Sequence, residues 1–520
     1  MGDKAIITEV LEASKLTDAY TDMTPKTLIK EIRHVGDDWT VRYSDLDDRR
    51  VLGEPSDQTN SYEEEKTFTV DDAVEALGFG KFQIKLSILT GLAWMADAME
   101  MMLLSIISPA LACEWNITPV QQALVTTCVF SGMMMSSTFW GKFCDRVGRR
   151  NGLTFSTILA CFMGMFSGLS PNLYTFLMMR CFTGFGIGGV PQSVVLYAEF
   201  LPSSHRAKCV VLIESFWAIG AVFEAILAYF IMETWGWRAL IFCSSLPLGL
   251  FACLSFWLPE SARFELSAGS PENAMETLLF AAKENRVQLP AGKLVSTPKT
   301  DDNRGSVSNL LFSRLRTTTI LLWVIWSITA FAYYGMVLFT TVLFQSHDEC
   351  HGGISSNSTE IDTCQPLTRS DYLDLLQTTF AEFPGLVITV FIIEWIGRKK
   401  TMALEFAVFA IFTFLLFLCL DRVTVTVMIF VARAFISGAF QCAYVYTPEV
   451  YPTTLRAVGL GTCSAMARIG AIITPFVAQV ASGHSLSLPI GIYGAAAVVG
   501  LIASLSLPIE TKGRQMMDSH

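Results

Sequence analysis

Long apolar stretches alternate with short polar ones along the chain from about residue 84 to residue 507. A bilayer core about 30 Å thick requires roughly 20 predominantly apolar residues in a helix. On that length the pattern predicts twelve transmembrane helices. They cover 84–110, 119–141, 152–170, 173–194, 209–231, 238–258, 317–343, 373–395, 401–420, 424–446, 457–480 and 486–507.

A polar segment, 264–316, separates the sixth predicted span from the seventh. Its stretch "PENAMETLLFAAKENR" has the period of an amphipathic helix, so we expect surface helices in a cytoplasmic central loop.

The composition agrees with a membrane protein. Of the 520 residues, 52% are hydrophobic and 16% are charged, whereas soluble proteins have about 25% charged residues. Most of the net charge of −10 lies in residues 1–83, which we expect to be an acidic, largely disordered tail. The first residues contain no apolar segment of the secretory-signal type, so this tail is predicted to stay in the cytoplasm.

Basic residues concentrate in the short loops after spans two, four and eight, and an even number of spans puts both termini on one side. The positive-inside rule places these loops and both termini, including the short tail 511–520, in the cytoplasm. The loop 344–371 then faces the lumen. There Asn357 is an acceptor for N-glycosylation, and Cys350 and Cys364 could form a disulfide in an oxidising compartment.

Charged motifs of the first half recur about 250 residues later. "DRVGRR" at 145–150 corresponds to "EWIGRKK" at 394–400, and "EFLPSSHR" to "EVYPTTLR". The chain therefore reads as an all-α membrane protein of two six-helix halves, 84–263 and 317–510, in parallel orientation. A substrate site is expected between such halves near the membrane midplane.

These motifs carry a resemblance. "GKFCDRVGRR" resembles the signature loop of the major facilitator superfamily, and "PESAR" and "PIETKGR" resemble its sugar-porter-type branch. "LTGLAWMADAMEMM" and "GFGIGGVPQSV" are similar to synaptic vesicle members of that superfamily, which implies a synaptic or other intracellular vesicle membrane. Related vesicle glycoproteins carry a large lumenal domain between spans seven and eight. Because this chain has only a short loop there, functions of that domain are not carried over.

Asp97 and Glu100 stand in the middle of an apolar span, in "WMADAMEMM". A charged side chain at a helix centre costs ~2.5–3.5 kcal/mol on insertion scales, so it should face the bundle interior or a wet cavity. Three residues apart, the two acids share one face of the helix. We expect the pair to carry protons or to recognise a cation; the alternative is a structural pairing with a neighbouring arginine.

The same argument makes Glu214, Glu224, Glu382 and Arg468 candidates for proton coupling or substrate binding. Glu214 could instead lie at the end of its span, and Arg468 could be the partner of one of the acids. Arg180 and Arg433, which are expected to begin their spans or lie near mid-span, resemble helix-positioning or proton-linked arginines.

Aromatic residues in the spans suggest a cavity for a planar or cationic organic solute. The candidates are Trp94, Trp217, Tyr333 and Tyr334. Packing and interface anchoring are the alternative, since most aromatic residues of membrane helices serve those roles.

Charges at the cytoplasmic ends of the spans are interpreted as a conformational latch that holds one arrangement of the halves and breaks in another. Simple positive-inside topology would also place basic residues there. The latch residues are Gly141, Asp145, Arg146, Gly148, Arg149, Arg150, Glu199, Arg206, Glu260, Arg263, Glu394, Gly397, Arg398, Lys399, Glu449 and Arg456.

The sequence thus favours a proton-coupled secondary active transporter that moves a small organic solute by alternating access. The alternative is a non-transporting receptor, regulator or scaffold of vesicles whose cytoplasmic tail recruits protein partners. We find no nucleophile–base constellation, metal-ligand set or phosphate loop, so no enzyme activity, cofactor, metal or nucleic-acid partner is expected. Organic cation, organic anion and sugar all remain open as substrates.

Overall fold

The structure is a computed structural model that describes residues 67–295, 307–312, 315–345, 367–418 and 420–512. The predicted disulfide partners Cys350 and Cys364 and the acceptor Asn357 lie outside the described residues. So do residues 1–66 and 513–520 of the two predicted tails.

Helices account for nearly all of the described chain. Up to residue 295 they are α1 (Val70–Leu77), α2 (Lys81–Trp115), α3 (Pro119–Val147), α4 (Arg149–Gly168), α5 (Leu173–Ile187), α6 (Pro191–Glu199), α7 (Ser203–Ile213), α8 (Ser215–Leu254), α9 (Ala262–Ser267) and α10 (Pro271–Asn285). From residue 307 they are α11 (Val307–Leu310), α12 (Arg316–Gln345), α13 (Arg369–Phe380), α14 (Glu382–Ile396), α15 (Arg398–Leu415), α16 (Arg422–Val450), α17 (Thr453–Pro475) and α18 (Ser487–Ser506). Short 3₁₀ turns follow α8 and α15, and a π-helical segment, Phe476–Ala481, extends α17.

Ten helical segments of the described chain are long and apolar enough to cross a membrane. One of them, Ser215–Trp257, contains two spans, because Gly236 leaves helical geometry at φ 75° and ψ 178°. The less apolar α4 adds a twelfth span, since its 20 residues match the bilayer thickness. Twelve helical spans therefore match the twelve predicted ones, and the predicted fold class is confirmed.

The turn between spans five and six differs from the sequence prediction. The sequence placed the end of span five near residue 231 and the start of span six near residue 238, whereas in the structure both helices extend to Gly236, whose backbone angles are not helical. Glycine adopts positive φ without a Cβ clash, so a single residue suffices for the reversal.

The two halves are hydrogen-bonded to each other at the ends of the spans remote from the charge motifs of the repeat. The amide of Gln479 donates to the Ser108 hydroxyl at 2.8 Å, and the Thr127 hydroxyl donates to the Ile472 carbonyl at 3.3 Å. Nearer the middle, Gln441 donates to Glu214 across the halves at 3.3 Å.

A small extramembrane layer joins the segment before α2 to the segment between the halves. Strand Thr67–Phe68 pairs in parallel with strand Lys293–Leu294. The Asn285 side chain accepts from the Phe82 backbone N–H at 2.9 Å and donates to the Leu77 carbonyl at 3.1 Å. In the same layer, the Ser203 backbone N–H holds the pKa of Glu75 below its usual value, because it donates to that carboxylate at 2.7 Å.

Candidate functional site

A small cavity lies between the two halves. It is lined by α2 and the start of α8 from the first half, and by α12, α16 and α17 from the second. The lining residues are Trp94, Asp97, Glu214, Trp217, Trp326, Tyr333, Tyr334, Ser437, Phe440, Gln441, Tyr444, Ser464, Ala467 and Arg468. The enclosed volume is about 40 Å³, enough for roughly three water molecules. A small organic solute can occupy this site only after the lining helices move apart.

Opposite charges face this cavity without pairing. Asp97 is 2% exposed, and its Oδ1 has no hydrogen-bond partner among the described residues. The Arg468 guanidinium contacts the Met133 sulfur at 3.2 Å, and no ion pair within 4.0 Å links Arg468 to Asp97. The pairing of Arg468 with one of the acids, which the sequence left as a possibility, is not formed in the structure. A charge held away from water without a partner is unfavourable. That Asp97 and Arg468 bind an incoming charge or proton stays a prediction.

Glu214 lines the cavity, although it directly precedes α8 and so occupies the end-of-span position that the sequence left open. Its carboxylate accepts from the Trp94 indole at 3.1 Å and from the Gln441 amide at 3.3 Å. One donor belongs to the first half and the other to the second, so any separation of the halves changes the hydrogen bonding of this acid.

Aromatic rings form much of the cavity wall. All four predicted cavity aromatics line it, and Trp326, Phe440 and Tyr444 join them. The Trp94 and Trp217 ring centroids are 5.6 Å apart, and those of Trp326 and Tyr444 are 4.5 Å apart. Such faces can stack on a planar solute or hold a cation. A role in binding stays a prediction.

Tyr333 connects the cavity to a buried ion pair behind it. The Trp217 indole donates to the Tyr333 hydroxyl at 2.7 Å, and that hydroxyl donates to Glu382 at 2.8 Å. The Arg433 guanidinium donates to the same Glu382 oxygen at 3.1 Å and to the Thr379 hydroxyl at 3.0 Å. The result is a continuous hydrogen-bonded path from the cavity wall into the second half.

Glu100 is separated from Asp97. It forms an ion pair with Arg180, whose side chain is fully buried and lies over the Phe176 ring at 5.1 Å. Residues at i and i+3 differ by about 60° around a helix, and here that difference directs Asp97 to the cavity and Glu100 to α5. For Glu100 the structure therefore shows the alternative that the sequence left open, a pairing with a neighbouring arginine, whereas Asp97 faces the cavity. Arg180 also does not begin its helix, since α5 starts at Leu173.

Glu224 lies outside the cavity lining. It is fully buried and accepts from the Ser244 hydroxyl at 2.7 Å, while its second oxygen has no partner among the described residues. Sequence reasoning missed a comparable group, Glu405, which is 1% exposed and accepts from the Thr389 hydroxyl at 2.6 Å. A lone acid in "TMALEFAVFAIF" is the signal that could have identified it.

Two equivalent charge clusters lie at the ends of the spans, one in each half. In the first, Glu260 accepts from the backbone N–H groups of Arg149 at 2.7 Å and Arg150 at 3.1 Å, and the Arg149 side chain pairs with Glu199 at 3.2 Å. Acids at a helix start are stabilised by its free N–H groups and dipole. Here Glu260 accepts hydrogen bonds from two of the free N–H groups at the start of α4.

The second cluster repeats this arrangement. Glu510 accepts from the backbone N–H groups of Arg398 at 2.8 Å and Lys399 at 3.2 Å, and Arg398 pairs with Glu449 at 3.1 Å. Asp145 and Glu394 occupy matching places, at 3.3 Å from Arg149 and 3.1 Å from Arg398.

Three arginines of the predicted latch do not bond to the acid of their own motif. Arg206 donates to the Leu201 carbonyl at 3.0 Å, Arg263 pairs with Asp71, and the Nε and Nη2 of Arg456 have no partner among the described residues. The acids of these motifs instead bond to the starts of α4 and α15. Glu260 accepts from backbone N–H groups of α4, and Glu199 and Glu449 pair with the first arginine of α4 and of α15. All these cluster contacts stay within one half, so contacts between the halves remain a prediction for another conformation.

The clusters predict a stability contrast among three glycines. A Cβ at Gly148 or Gly397 would meet the carboxylate of Glu260 or Glu510, and both residues have positive φ, 107° and 93°. Gly148→Ala and Gly397→Ala should each destabilise the protein by about 1–3 kcal/mol. Gly141→Ala is the control, because a Cβ there meets nothing within 4 Å and the residue is helical, so we expect no loss. Thermal unfolding in detergent measures all three; equal behaviour of Gly148→Ala and Gly141→Ala would contradict the arrangement.

Comparison with known proteins agrees with this architecture. The family model for sugar (and other) transporters matches residues 55–355 and 377–520. The chain is 78% identical to "Putative transporter svop-1" of Caenorhabditis elegans over 100% of both chains. It is 56% identical to the synaptic vesicle 2-related protein of Xenopus laevis, over 87% of this chain and 83% of that one.

A solved structure shows the same fold. The xylose transporter XylE from E. coli, in a partially occluded inward open conformation, has a TM-score of 0.65 to this chain at 17% identity. The likeness covers 84% of this chain and 99% of the other. With the duplicated charge clusters, the cavity between the halves and the matched family model, this chain belongs to the sugar (and other) transporter family of the major facilitator superfamily.

Proposed function

We propose that this protein is a secondary active transporter that moves a small organic solute, an organic ion or metabolite, by alternating access and in exchange with or together with protons. The observation that carries the proposal is the small cavity between the halves, which Asp97 and Arg468 both line without forming an ion pair. Unpaired charges near the midplane of a membrane protein mark substrate or ion pathways.

Alternating access is supported by how the halves meet. Their hydrogen bonds join the ends remote from the charge clusters and the walls of the cavity, while the clusters bond only within each half. Rocking one half against the other would open the cavity on one side while the opposite end stays shut.

Proton coupling is assigned to the carboxylates that touch the cavity. Asp97 faces it directly, Glu214 bridges the halves through its donors, and Glu382 is reached through the Tyr333 hydroxyl. A carboxyl group whose surroundings alternate between dry and wet can take up a proton on one side and release it on the other. The vesicle location is supported by the likeness to synaptic vesicle 2-related proteins.

The test uses the purified full chain. A thermal-shift screen of organic cations, organic anions and sugars identifies a solute, which is then followed into proteoliposomes with and without a pH gradient. We expect a gradient to drive accumulation beyond equilibration, and a protonophore to abolish it. Equilibration that ignores the gradient would contradict proton coupling. Failure of every solute to shift the unfolding temperature or to exchange across the liposome membrane would favour the scaffold alternative.

A further inference from the structure

An apolar groove lies on the outer surface of the first half, apart from the central cavity. It runs between the start of α2, the end of α8 and α10, and has a volume of about 620 Å³, within the range of ligand pockets. Its floor contains Phe82 and Leu86, which are 4% and 2% exposed. Phe256, Trp257 and Phe280 form walls that remain open to the surroundings.

One end of this groove is basic. Lys85, Phe280 and Glu284 line both the apolar groove and an adjoining polar one, which also contains Lys81, Lys283 and Arg286. Four cations against one carboxylate leave a net charge of about +3 at this end. Glu284 already forms an ion pair with Lys85 at 2.5 Å, so an arriving anion would share Lys85 with that carboxylate. Among the described residues, no ion pair engages Lys81, Lys283 or Arg286, so these three side chains are available to the anion.

The depth of the two ends in the membrane follows from the helices that carry them. Lys81 begins the first span and Trp257 ends the sixth, so the basic end lies where the apolar spans give way to the extramembrane layer. Phe256 and Trp257 are each 73% exposed, and aromatic side chains at span ends mark the boundary between headgroups and hydrocarbon. The apolar part therefore lies at the depth of acyl chains and the basic part at that of phosphates.

This combination identifies one occupant. A water-soluble anion would leave the apolar walls uncovered, and a protein partner would have to enter the hydrocarbon. A lipid of the surrounding leaflet matches both ends, and clusters of lysine and arginine beside a span attract anionic lipids.

We propose that this groove binds one anionic phospholipid, with its phosphate among Lys81, Lys85, Lys283 and Arg286 and an acyl chain along Phe82 and Trp257. The bound lipid links the start of α2 to α10, which belongs to the segment that joins the halves. Asp97 lies further along the same helix α2. The contacts of Asn285 with Phe82 and Leu77 already connect these elements, and the lipid adds to that connection from the membrane side.

The test measures lipid retention by native mass spectrometry of the full chain released from nanodiscs of equimolar phosphatidylcholine and phosphatidylserine. The wild-type chain should retain one phosphatidylserine in preference to phosphatidylcholine. The quadruple variant Lys81→Gln, Lys85→Gln, Lys283→Gln, Arg286→Gln should lower that retention at least about fivefold, because each basic group at a membrane surface adds to the attraction for anionic lipid.

The matched control removes four other exposed basic side chains, with the substitutions Lys142→Gln, Arg316→Gln, Lys400→Gln and Lys512→Gln. It changes the net charge equally and should retain the lipid as the wild type does. Equal loss in both quadruple variants, or no loss in either, would overturn the site.

A second pair of measurements tests the apolar half. Ile88, 51% exposed and on the groove wall, is replaced by tryptophan to fill the groove, and retention of phosphatidylserine should fall while the basic residues are intact. Water-soluble glycerophosphoserine should not raise the unfolding temperature of the wild type at a concentration where phosphatidylserine does. An equal rise of the unfolding temperature with both compounds would show that the groove binds a phosphate group without the acyl chain, and would refute the lipid proposal.

Discussion

Replacing Asp97 with asparagine is expected to abolish accumulation beyond equilibration in the presence of a pH gradient. Asp97 lies on the cavity wall with one carboxylate oxygen unpartnered. Asparagine keeps the shape and can still accept a hydrogen bond, but it cannot take up or release a proton. Exchange of solute at equal pH on both sides should persist, since the fold and the aromatic wall are unchanged.

The uptake assay separates this role from general damage. Glu233→Gln removes an exposed acid of the first half and should leave gradient-driven uptake at the wild-type rate. Glu214→Gln should weaken it, because the bridging acid loses its charge while it can still accept from Trp94 and Gln441. Wild-type accumulation by Asp97→Asn would show that the coupling proton is carried elsewhere.

Arg180→Met should be among the most destabilising single substitutions in the chain. It removes the guanidinium from the Glu100 carboxylate and leaves a charge in the core of the first half, where both side chains are buried. Breaking a buried pair in this way costs about 3–5 kcal/mol. Thermal unfolding in detergent, followed by tryptophan fluorescence, measures the loss.

Two further variants identify the cause of that loss. Arg180→Met combined with Glu100→Gln removes both charges and should recover much of the stability, because replacing an entire buried pair is often nearly neutral. Arg263→Met, whose pair with Asp71 is roughly half exposed, should cost less than about 1 kcal/mol. If the double variant were no more stable than the single one, packing of the arginine stem, not the stranded charge, would explain the result.

The duplicated charge clusters show why the sequence predicted the repeat but not the side-chain contacts within each cluster. Glu260 and Glu510 follow equivalent motifs, and each accepts two backbone N–H groups at the start of a helix. The motif spacing predicted that the two halves carry equivalent charges, and it assigned Glu260 to the charge network of the first half. That Arg206 would instead donate to the Leu201 carbonyl depends on how the chain turns between α6 and α7.

For the intramembrane charges too, the sequence predicted one property, their burial, and did not predict another, their bonding partners. Their position inside apolar stretches was enough to predict that they face the protein interior, and Asp97, Glu100, Glu224 and Glu382 are all buried. Glu405 carried the same signal and was overlooked. Which partner each acid meets could not be predicted, because Glu100 bonds to a residue 80 positions away and Glu382 to one 51 positions away.

The sequence by itself determined the number and order of the spans, the twofold repeat and the set of residues whose charge must be sheltered from lipid. These follow from local hydropathy and motif spacing, which act along a single helix. Only the tertiary structure decided that Asp97 faces the cavity while Glu100 meets Arg180, and that Glu214 bridges the halves. Those outcomes depend on the rotation and separation of helices distant in sequence, where a difference of 60° around one axis moves a carboxylate from a cavity to an ion pair.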